Sequence, residues 1–232
     1  MTSKLQQRGS IVEIVGPAGA GKTTLFKALE KRGIRIVGED PPPIRDFSSI
    51  QFYVKNIGRS IPLFFHLPLT ESKKLSKRNL AYVMLLNGWQ DLLKQKAAKT
   101  KNVILLDQGP IFLMAYLSIF GPINQQNSRL NEWWKHIYYQ WANTLDTVIY
   151  LDTSFNTLIS RNRNRQDHVI KNVIGKTDAE ARDFLDRYRK MYKQIITRFS
   201  LNNNQLRVIW IESEEPSIAK TVDIVINEIG SI

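Results

Sequence analysis

An eight-residue segment, GPAGAGKT at 16–23, constrains this chain more than any other stretch. It follows an apolar run, IVEIV at 11–15, and leads into KTTLFKALEKRG at 22–33, whose apolar residues recur with helical spacing. A short run rich in β-branched residues predicts a buried strand, and recurrence every three to four residues predicts a helix. The segment is therefore predicted to be a glycine-rich turn between a strand and a helix.

The turn matches G-x-x-x-x-G-K-[ST], a pattern whose backbone amides bind the phosphates of a nucleotide. Glycines adopt backbone angles closed to other residues, so successive N–H groups can point inward at an anion near the positive end of the helix. We expect Lys22 to reach the β- and γ-phosphates, Thr23 to ligate Mg²⁺ and Thr24 to donate to the α-phosphate. The predicted nucleotide-binding residues are Gly16, Pro17, Ala18, Gly19, Ala20, Gly21, Lys22, Thr23 and Thr24.

Strand-like and helix-like segments alternate along the rest of the chain. Short apolar runs predict four more strands, at 34–38, 102–107, 146–152 and 206–212. Helical spacing predicts helices at 47–57, 73–98, 110–121, 130–144 and 216–229, and a further one that ends near residue 161. Apolar strands separated by helices are typical of a parallel sheet covered on both faces. We expect an α/β fold in one domain over 1–232, a three-layer α/β/α sandwich around five parallel strands.

Carboxylates follow two of the predicted strands. Ligands of a parallel sheet bind beyond the carboxyl ends of its strands. Asp107 ends the third strand, and we expect it to face the metal ion; the alternative is that it only caps the next helix. After the second strand, Glu39 or Asp40 could accept a proton from an acceptor hydroxyl. The alternative is a loop carboxylate paired with Arg35 or Arg45.

Three arginines, Arg161, Arg163 and Arg165, stand at alternate positions where a helix is predicted to give way to a loop. Guanidinium groups bind phosphate oxygens through two parallel hydrogen bonds and offset the charge of a departing phosphoryl group. Alternate spacing in a loop lets two of them converge on one phosphate. The alternative is a solvent-exposed basic turn. Likewise, KKLSKR at 73–78 predicts an exposed helix start, with attraction of anionic ligands as its alternative role.

The composition narrows the environment and the partners. The formal net charge is +12, which favours anionic partners such as nucleotides, phosphorylated metabolites or nucleic acid. The chain has no cysteine, which excludes disulfides, thiolate zinc sites and cysteine nucleophiles and is typical of a reducing compartment. No apolar run approaches the ~20 residues that cross a bilayer, and the N-terminus has no apolar signal region. We therefore expect a cytoplasmic protein without a membrane span.

These pieces, in this order, resemble the P-loop nucleoside and nucleotide monophosphate kinases, and are nearest in pattern to deoxynucleoside kinases and thymidylate kinases. The resemblance implies the P-loop NTPase sandwich, ATP and Mg²⁺ as cofactors, and an arginine-bearing LID at about 162–177. GEDP at 38–41 is similar to the group's Glu-Pro segment, which makes Glu39 the candidate base. Thr23 and Asp107 would hold the metal. The catalytic residues that the pattern and the resemblance together indicate are Lys22, Glu39, Asp107, Arg161, Arg163 and Arg165.

The chain departs from that group in two places. Gln108 stands where the group has an arginine, so a positive contact on the acceptor side is missing. The segment 79–93 is similar to the base-reading helix of deoxynucleoside kinases, whose glutamine would fall near Leu85. Leucine cannot hydrogen-bond a base edge, which leaves Asn87 and Gln90 as candidates for that contact.

The expected function is transfer of the γ-phosphoryl group of Mg-ATP to a small hydroxyl- or phosphate-bearing acceptor, for instance a nucleoside or nucleotide. Its pocket would be lined by 39–65, 82–90 and 107–116. One alternative is a nucleic-acid-directed enzyme, either a 5′-hydroxyl polynucleotide kinase or a basic ATPase, although no nucleic-acid readout pattern is found. Another is a nucleotide-binding regulator with a degenerate kinase fold.

An aromatic helix face bears on self-association. Trp134, Tyr138 and Trp141 recur at i, i+4 and i+7. Such a face is typical of a protein core or a dimer interface, so a homodimer is a further alternative. A third possible role for these rings is stacking on a base.

Overall fold

The structure is a computed structural model that describes residues 8–32, 36–43, 46–65, 67, 75–123, 128–164, 176–212 and 217–229. Its five strands are β1 (Ile11–Val15), β2 (Ile36–Gly38), β3 (Val103–Leu106), β4 (Thr147–Asp152) and β5 (Arg207–Glu212). They form one sheet in the order β2-β3-β1-β4-β5, and every pairing is parallel. The five-stranded parallel sheet predicted from the sequence is confirmed.

Eight α-helices accompany the sheet in the described ranges: α1 (Lys22–Lys31), α2 (Phe47–Phe65), α3 (Lys77–Ala98), α4 (Pro110–Phe120), α5 (Asn131–Ala142), α6 (Phe155–Arg163), α7 (Asp178–Asn202) and α8 (Ile218–Ile229). A 3₁₀ turn, Ser128–Leu130, precedes α5. None of the helices in these ranges combines the length and the apolar character that crossing a bilayer requires.

Two hydrophobic clusters fill the spaces above and below the sheet. Alternate residues of β1 point to opposite faces, so Ile11 and Val15 join one cluster while Val12 and Ile14 join the other. The first cluster packs α3, α4, α5 and the second half of α7 on the sheet. The second packs α1, α6, α8 and the first turns of α7. The result is the three-layer α/β/α arrangement expected from the sequence.

Several element boundaries differ from their predicted positions. Helix α2 runs to Phe65, well beyond the predicted end at residue 57. Helix α3 begins at Lys77, because the Ser76 side chain accepts from the backbone N–H of Asn79 and caps the helix there. Strand β3 is one residue shorter at each end than predicted.

Helix α7 has no counterpart among the predicted elements. Charged residues on its exposed sides dilute its apolar spacing. A local signal was present, however. Thr177 accepts from the backbone N–H of Glu180, and Glu180 accepts from that of Thr177, which together form a capping box.

The contact between α2 and α3 yields a prediction for two glycines. Gly88→Ala should lower the free energy of unfolding by roughly 1–3 kcal/mol, because its Cβ would lie 2.2 Å from the buried Asn56 amide. Asn56 cannot easily yield, since it donates to the Phe52 carbonyl. Gly58→Ala is the matched control. It should raise the free energy of unfolding by about 1 kcal/mol, because alanine has the higher helix propensity. No described neighbouring atom lies within 4 Å of its added Cβ. Urea unfolding checks both, and equal shifts of the same sign would contradict the packing described.

Candidate active site

The turn between β1 and α1 forms a hollow of backbone amides. Gly16, Gly19 and Gly21 all have positive φ angles. A Cβ at Gly16 would lie 2.1 Å from the Leu151 carbonyl oxygen, and one at Gly19 would lie 2.7 Å from Asn162 Nδ2, so neither position accepts a side chain. Gly21 is the N-cap of α1 and gives no side-chain cap. The first N–H groups of α1 are therefore available to an anion.

Lys22 lies over this hollow. Its ammonium donates to the carbonyl oxygens of Gly16 and Pro17, at 2.8 and 3.2 Å. A cation held across a ring of amides adds full charge to the partial positive charge of the helix terminus. The hollow is thus suited to a polyphosphate, as the sequence pattern predicted.

Thr23 and Asp107 meet beside the hollow. The Thr23 hydroxyl donates to Asp107 Oδ2 in a long hydrogen bond of 3.5 Å, while Asp107 Oδ1 is buried and has no partner among the described residues. A buried carboxylate oxygen without a partner costs free energy that a cation would recover. Within the described ranges, no three carboxylate or histidine side chains cluster as a metal site. A Mg²⁺ ion here would depend on phosphate oxygens, which is the coordination that Mg²⁺ favours.

A buried carboxylate in β1 performs the capping role considered for Asp107. The N-cap residue of α4, Gly109, gives no side-chain cap. Instead, Glu13 accepts from the backbone N–H groups of Ile111 and Phe112 at 3.1–3.2 Å. Glu13 is fully buried, and burial raises its pKa from the ordinary 4.5 to about 8, although the backbone hydrogen bonds act in the opposite direction. The negative charge of Asp107 raises the pKa further.

Two cavities open from the hollow. The first, which we call the loop-side cavity, has a volume of about 460 Å³ and lies between the glycine turn, α6, β5 and α8. Thr24, Asp152 and Arg161 contribute polar groups to its lining, and Ile211 and Ile218 contribute apolar ones. A slot of this size and mixed character is suited to a flat heterocycle.

The second, which we call the aromatic cavity, has a volume of about 410 Å³. Lys22, Thr23, Asp107 and Gln108 line it at the glycine turn. The rest of its lining is Arg78 and seven aromatic rings, with a few apolar residues of β1 and the turn; the rings are Tyr82, Phe112, Tyr116, Phe120, Phe184, Tyr188 and Tyr192. Three of these rings come from α7, the helix that sequence reasoning missed.

The predicted arginines lie on or after α6. Arg161 donates to the Gly19 carbonyl at 3.3 Å, so it touches the glycine turn. Its neighbour Asn162 is buried and donates to the Ala18 carbonyl at 2.8 Å, which fixes α6 against the turn. Arg163 instead forms an exposed ion pair with Asp178 at 2.6 Å. Arg165 and most of the predicted LID segment lie outside the described residues.

Glu39 lies apart from the aromatic cavity. Its carboxylate forms an ion pair with Lys96. Arg35 and Arg45, the partners considered from the sequence, lie outside the described residues. Glu39 lines a surface groove that also contains Thr23 and Asp107, and a second groove of about 480 Å³ between α2 and α3. Several of the described residues of 39–65 line these grooves, and none of them lines the aromatic cavity, where the sequence had predicted them.

Neither amide proposed for base reading lines the aromatic cavity. Asn87 is buried, donating to Ser60 at 2.8 Å and accepting from the Trp133 indole at 3.0 Å. Gln90 is buried as well and lines neither cavity. On the same helix, Arg78 and Tyr82 take the positions that face the cavity.

The aromatic face of α5 belongs to the protein's own core. Trp134, Tyr138 and Trp141 are 3%, 4% and 0% exposed. Of the roles predicted for this face, packing in the protein core is the one that the structure shows. No surface remains there for a dimer.

The sheet order and the site together define a fold. It is a parallel sheet in the order 2-3-1-4-5, with a glycine turn and lysine after β1 and an aspartate after β3. The resemblance drawn from the sequence is thus confirmed at the level of the fold.

Three solved structures are similar to this chain. The chain is similar to thymidylate kinase from Candida albicans, with a TM-score of 0.53 and 16% identity over 97% of this chain and 92% of that one. It is also similar to deoxyadenosine kinase from M. mycoides with bound dATP, at a TM-score of 0.49 and 21% identity over 95% and 99% of the two chains. A third similar structure is shikimate kinase from Acinetobacter baumannii in complex with shikimate, at 0.48 and 17% over 97% and 95%.

No protein-family model and no curated protein matches the chain. At identities this low, similarity establishes the fold alone. The chemistry of the site therefore has to be argued from its own residues.

Glu13 gives the site a pH-dependent stability. Because its pKa is raised in the folded state, the folded chain holds a proton that the unfolded chain releases between pH 4.5 and about 8. The contribution of Glu13 is complete at the acid end of this window and is lost as the pH rises through it. We expect it to fall by on the order of 4 kcal/mol.

Urea unfolding of the wild type at several pH values should show this decline, and Glu13→Gln should remove most of it. Glu132→Gln, which changes an exposed carboxylate paired with Lys135, is the control and should follow the wild type. Parallel curves for the wild type and Glu13→Gln would contradict the assignment.

Proposed function

We propose that this chain is a small-molecule kinase that transfers the γ-phosphoryl group of Mg-ATP to a hydroxyl or phosphate group of a small acceptor. One observation carries the proposal: Lys22, Thr23 and Asp107 line the same cavity as the aromatic rings of α3, α4 and α7. A phosphate-binding turn and an acceptor-sized cavity are thereby contiguous. Such contiguity supports transfer between two bound molecules.

ATP is the donor that the loop-side cavity supports best. Its triphosphate would occupy the hollow of amides at Gly16–Gly21, with Lys22 at the β- and γ-phosphates. Thr24 and the apolar residues of β5 and α8 line the adjoining cavity, where the base would lie. Thr23 and Asp107 would hold Mg²⁺, which supplies charge neutralisation at the phosphate oxygens when bound.

In this mechanism the chain's own groups mainly position and stabilise charge. Phosphoryl transfer passes through a loose transition state, so binding the reactants in line matters more than covalent assistance. The amides of the turn and the Lys22 ammonium would stabilise negative charge as it develops on the phosphate oxygens. The wall of aromatic rings would exclude water, which otherwise competes with the acceptor for the phosphoryl group.

The proton acceptor is assigned by position. Asp107 lines the aromatic cavity at the turn, where an acceptor hydroxyl would have to lie. Glu39 shares only a surface groove with Thr23 and Asp107 and is paired with Lys96. We therefore propose Asp107 as the first candidate for the proton acceptor and Glu39 as the second. Little base strength is needed, because deprotonation is late in a loose transition state.

Arg161 and Arg163 are proposed as clamps on the donor phosphates, together with Arg165 in the LID segment. Arg161 already donates to the Gly19 carbonyl, within reach of a phosphate in the hollow. Arg163 would have to leave its exposed pair with Asp178, which costs little because surface ion pairs contribute about 0–1 kcal/mol. We also propose a cytoplasmic location. A homodimer is a further proposal, for which we assign no interface.

ADP release tests the proposal. The chain is incubated with Mg-ATP and a panel of nucleosides, nucleoside monophosphates, sugars, hydroxy acids and 5′-hydroxyl oligonucleotides. We expect release that depends on at least one small acceptor, and a loss of at least roughly 100-fold in kcat/KM with Lys22→Ala. Lys31→Ala, an exposed lysine of the same helix, is the control and should leave the rate unchanged.

Other outcomes would identify the alternatives. Steep loss of activity with salt, with oligonucleotides as the only effective acceptors, would favour the nucleic-acid-directed enzyme. ATP binding without turnover on any acceptor would favour the regulator. Acceptor-dependent release that survives Lys22→Ala would contradict the site itself.

A further inference from the structure

The polar side chains of the aromatic cavity are unevenly distributed along its lining. Its seven rings come from three helices, and neighbouring ring centroids lie 5.0–6.5 Å apart. Rings at this spacing form a continuous apolar box that suits a planar or apolar body. Apart from the tyrosine hydroxyls, the polar side chains of its lining lie at the glycine turn, with one exception.

That exception is Arg78. It lies in the first turn of α3, is exposed, and its guanidinium carbon lies 5.9 Å from the centroid of the Tyr116 ring. None of the ion pairs between described residues includes it. Interaction with the Tyr116 side chain raises the pKa of the Arg78 guanidinium. A guanidinium that lies over an aromatic wall and pairs with no carboxylate of the described residues is a cation available to a ligand.

Arg78 and the transfer site lie apart along α4. Helix α4 starts at Pro110, three residues after Asp107, and runs along the cavity through Phe112, Tyr116 and Phe120. Tyr116, which Arg78 touches, lies six residues beyond Pro110, or roughly 9 Å along the helix axis. A molecule that touches both Asp107 and Arg78 must therefore span a distance of about this length.

The chemistry of Arg78 restricts what it can bind. Arginine has five N–H donors and no acceptor, so it pairs with oxygen-bearing anions and cannot read a base edge that mixes donors and acceptors. Gln108, next to Asp107 in the chain, is the single carboxamide among the described lining residues. Asn87 and Gln90, which could have read a base edge, lie outside the cavity.

We propose, building on the kinase function above, that the acceptor carries an anionic group, a carboxylate or phosphate, at the end opposite its reactive hydroxyl. Arg78 is the specificity residue that binds this group. The body between the two ends is planar or apolar and lies against the rings. The acceptor hydroxyl lies at Asp107 and receives the phosphoryl group there.

Three matched probes test this inference without ATP, so that the result does not depend on phosphoryl transfer. They are para-hydroxymethylbenzoate, para-hydroxymethylphenyl phosphonate and the neutral para-hydroxymethylbenzamide. Binding is followed by ligand-observed NMR titration to millimolar concentrations. We expect at least one anionic probe to bind tenfold or more tightly than the amide, and the tighter of the two anions to indicate carboxylate or phosphate.

Variants at Arg78 then locate the effect. Arg78→Gln should reduce the anion-to-amide preference to about one, Arg78→Lys should keep part of it because the charge remains, and Lys77→Gln in the same helical turn should keep all of it. Circular dichroism checks that each variant is folded. Equal binding of all three probes, no binding of any probe, or a preference that survives Arg78→Gln would overturn the inference.

Failure here is distinguishable from failure of the proposed function. If neutral acceptors alone support ADP release that Lys22→Ala abolishes, the kinase stands and the anionic acceptor is wrong. If the probes bind as expected but no acceptor yields ADP, the anion site stands and the kinase assignment is wrong.

Discussion

A carboxylate buried in the central strand determines where the acceptor wall stands. Glu13 lies three residues before the glycine turn begins. It accepts from two backbone N–H groups at the start of α4. These bonds fix the helix that carries Phe112, Tyr116 and Phe120 to the same strand that delivers the turn. Phosphate site and acceptor wall are thereby held by one rigid element, which is the condition for bringing two reactants into line. Desolvation disfavours the charged form of Glu13 and raises its pKa, so burial opposes the charge of the carboxylate that anchors α4.

Helix α7 couples the two cavities from the other side. Arg189 on α7 donates to Asp152 at 2.7 Å and to the Thr153 carbonyl at 2.7 Å, and its guanidinium lies 3.9 Å from the Phe155 ring centroid. Asp152 lines the loop-side cavity, while Tyr188 of the same helix lines the aromatic one. A buried ion pair of this kind adds little stability over an apolar contact, but it fixes the register of the helix it anchors. One helix therefore positions walls of both cavities.

The sequence was informative where the signal is local. The glycine turn, its lysine and its threonines follow one another in the chain, and parallel topology brings Asp107 to the same edge as Thr23. Partners far apart in the chain could not be foreseen. Glu13 lies 98 residues from the amide of Ile111 that it binds, and in the sequence it was a lone charge in an apolar run.

The acceptor side shows the same limit. Arg78 ends a basic run that predicted an exposed helix start, and only the packing of α4 against α3 brings its guanidinium over Tyr116. The rings of α7 escaped notice because charged residues surround them in sequence. Asn87 and Gln90 were expected to read the acceptor. Asn87 instead bonds to neighbouring helices, and Gln90 is buried without lining the cavity.

An exposed cation on the wall of an apolar box, away from the transfer site, also explains how such a pocket can select by length. Inside the box an unpaired charge would cost several kcal/mol, because the rings cannot replace its water. At the mouth, Arg78 keeps part of its hydration and still attracts an anion, since the low-dielectric wall beside it reduces screening. The two polar ends are separated by roughly two turns of α4. A shorter acceptor would satisfy only one end and leave its hydroxyl out of line with the phosphate. The spacing fixed by Glu13 at one end of α4 and by Arg78 beside its middle thus makes correct length a condition for reaction as well as for binding.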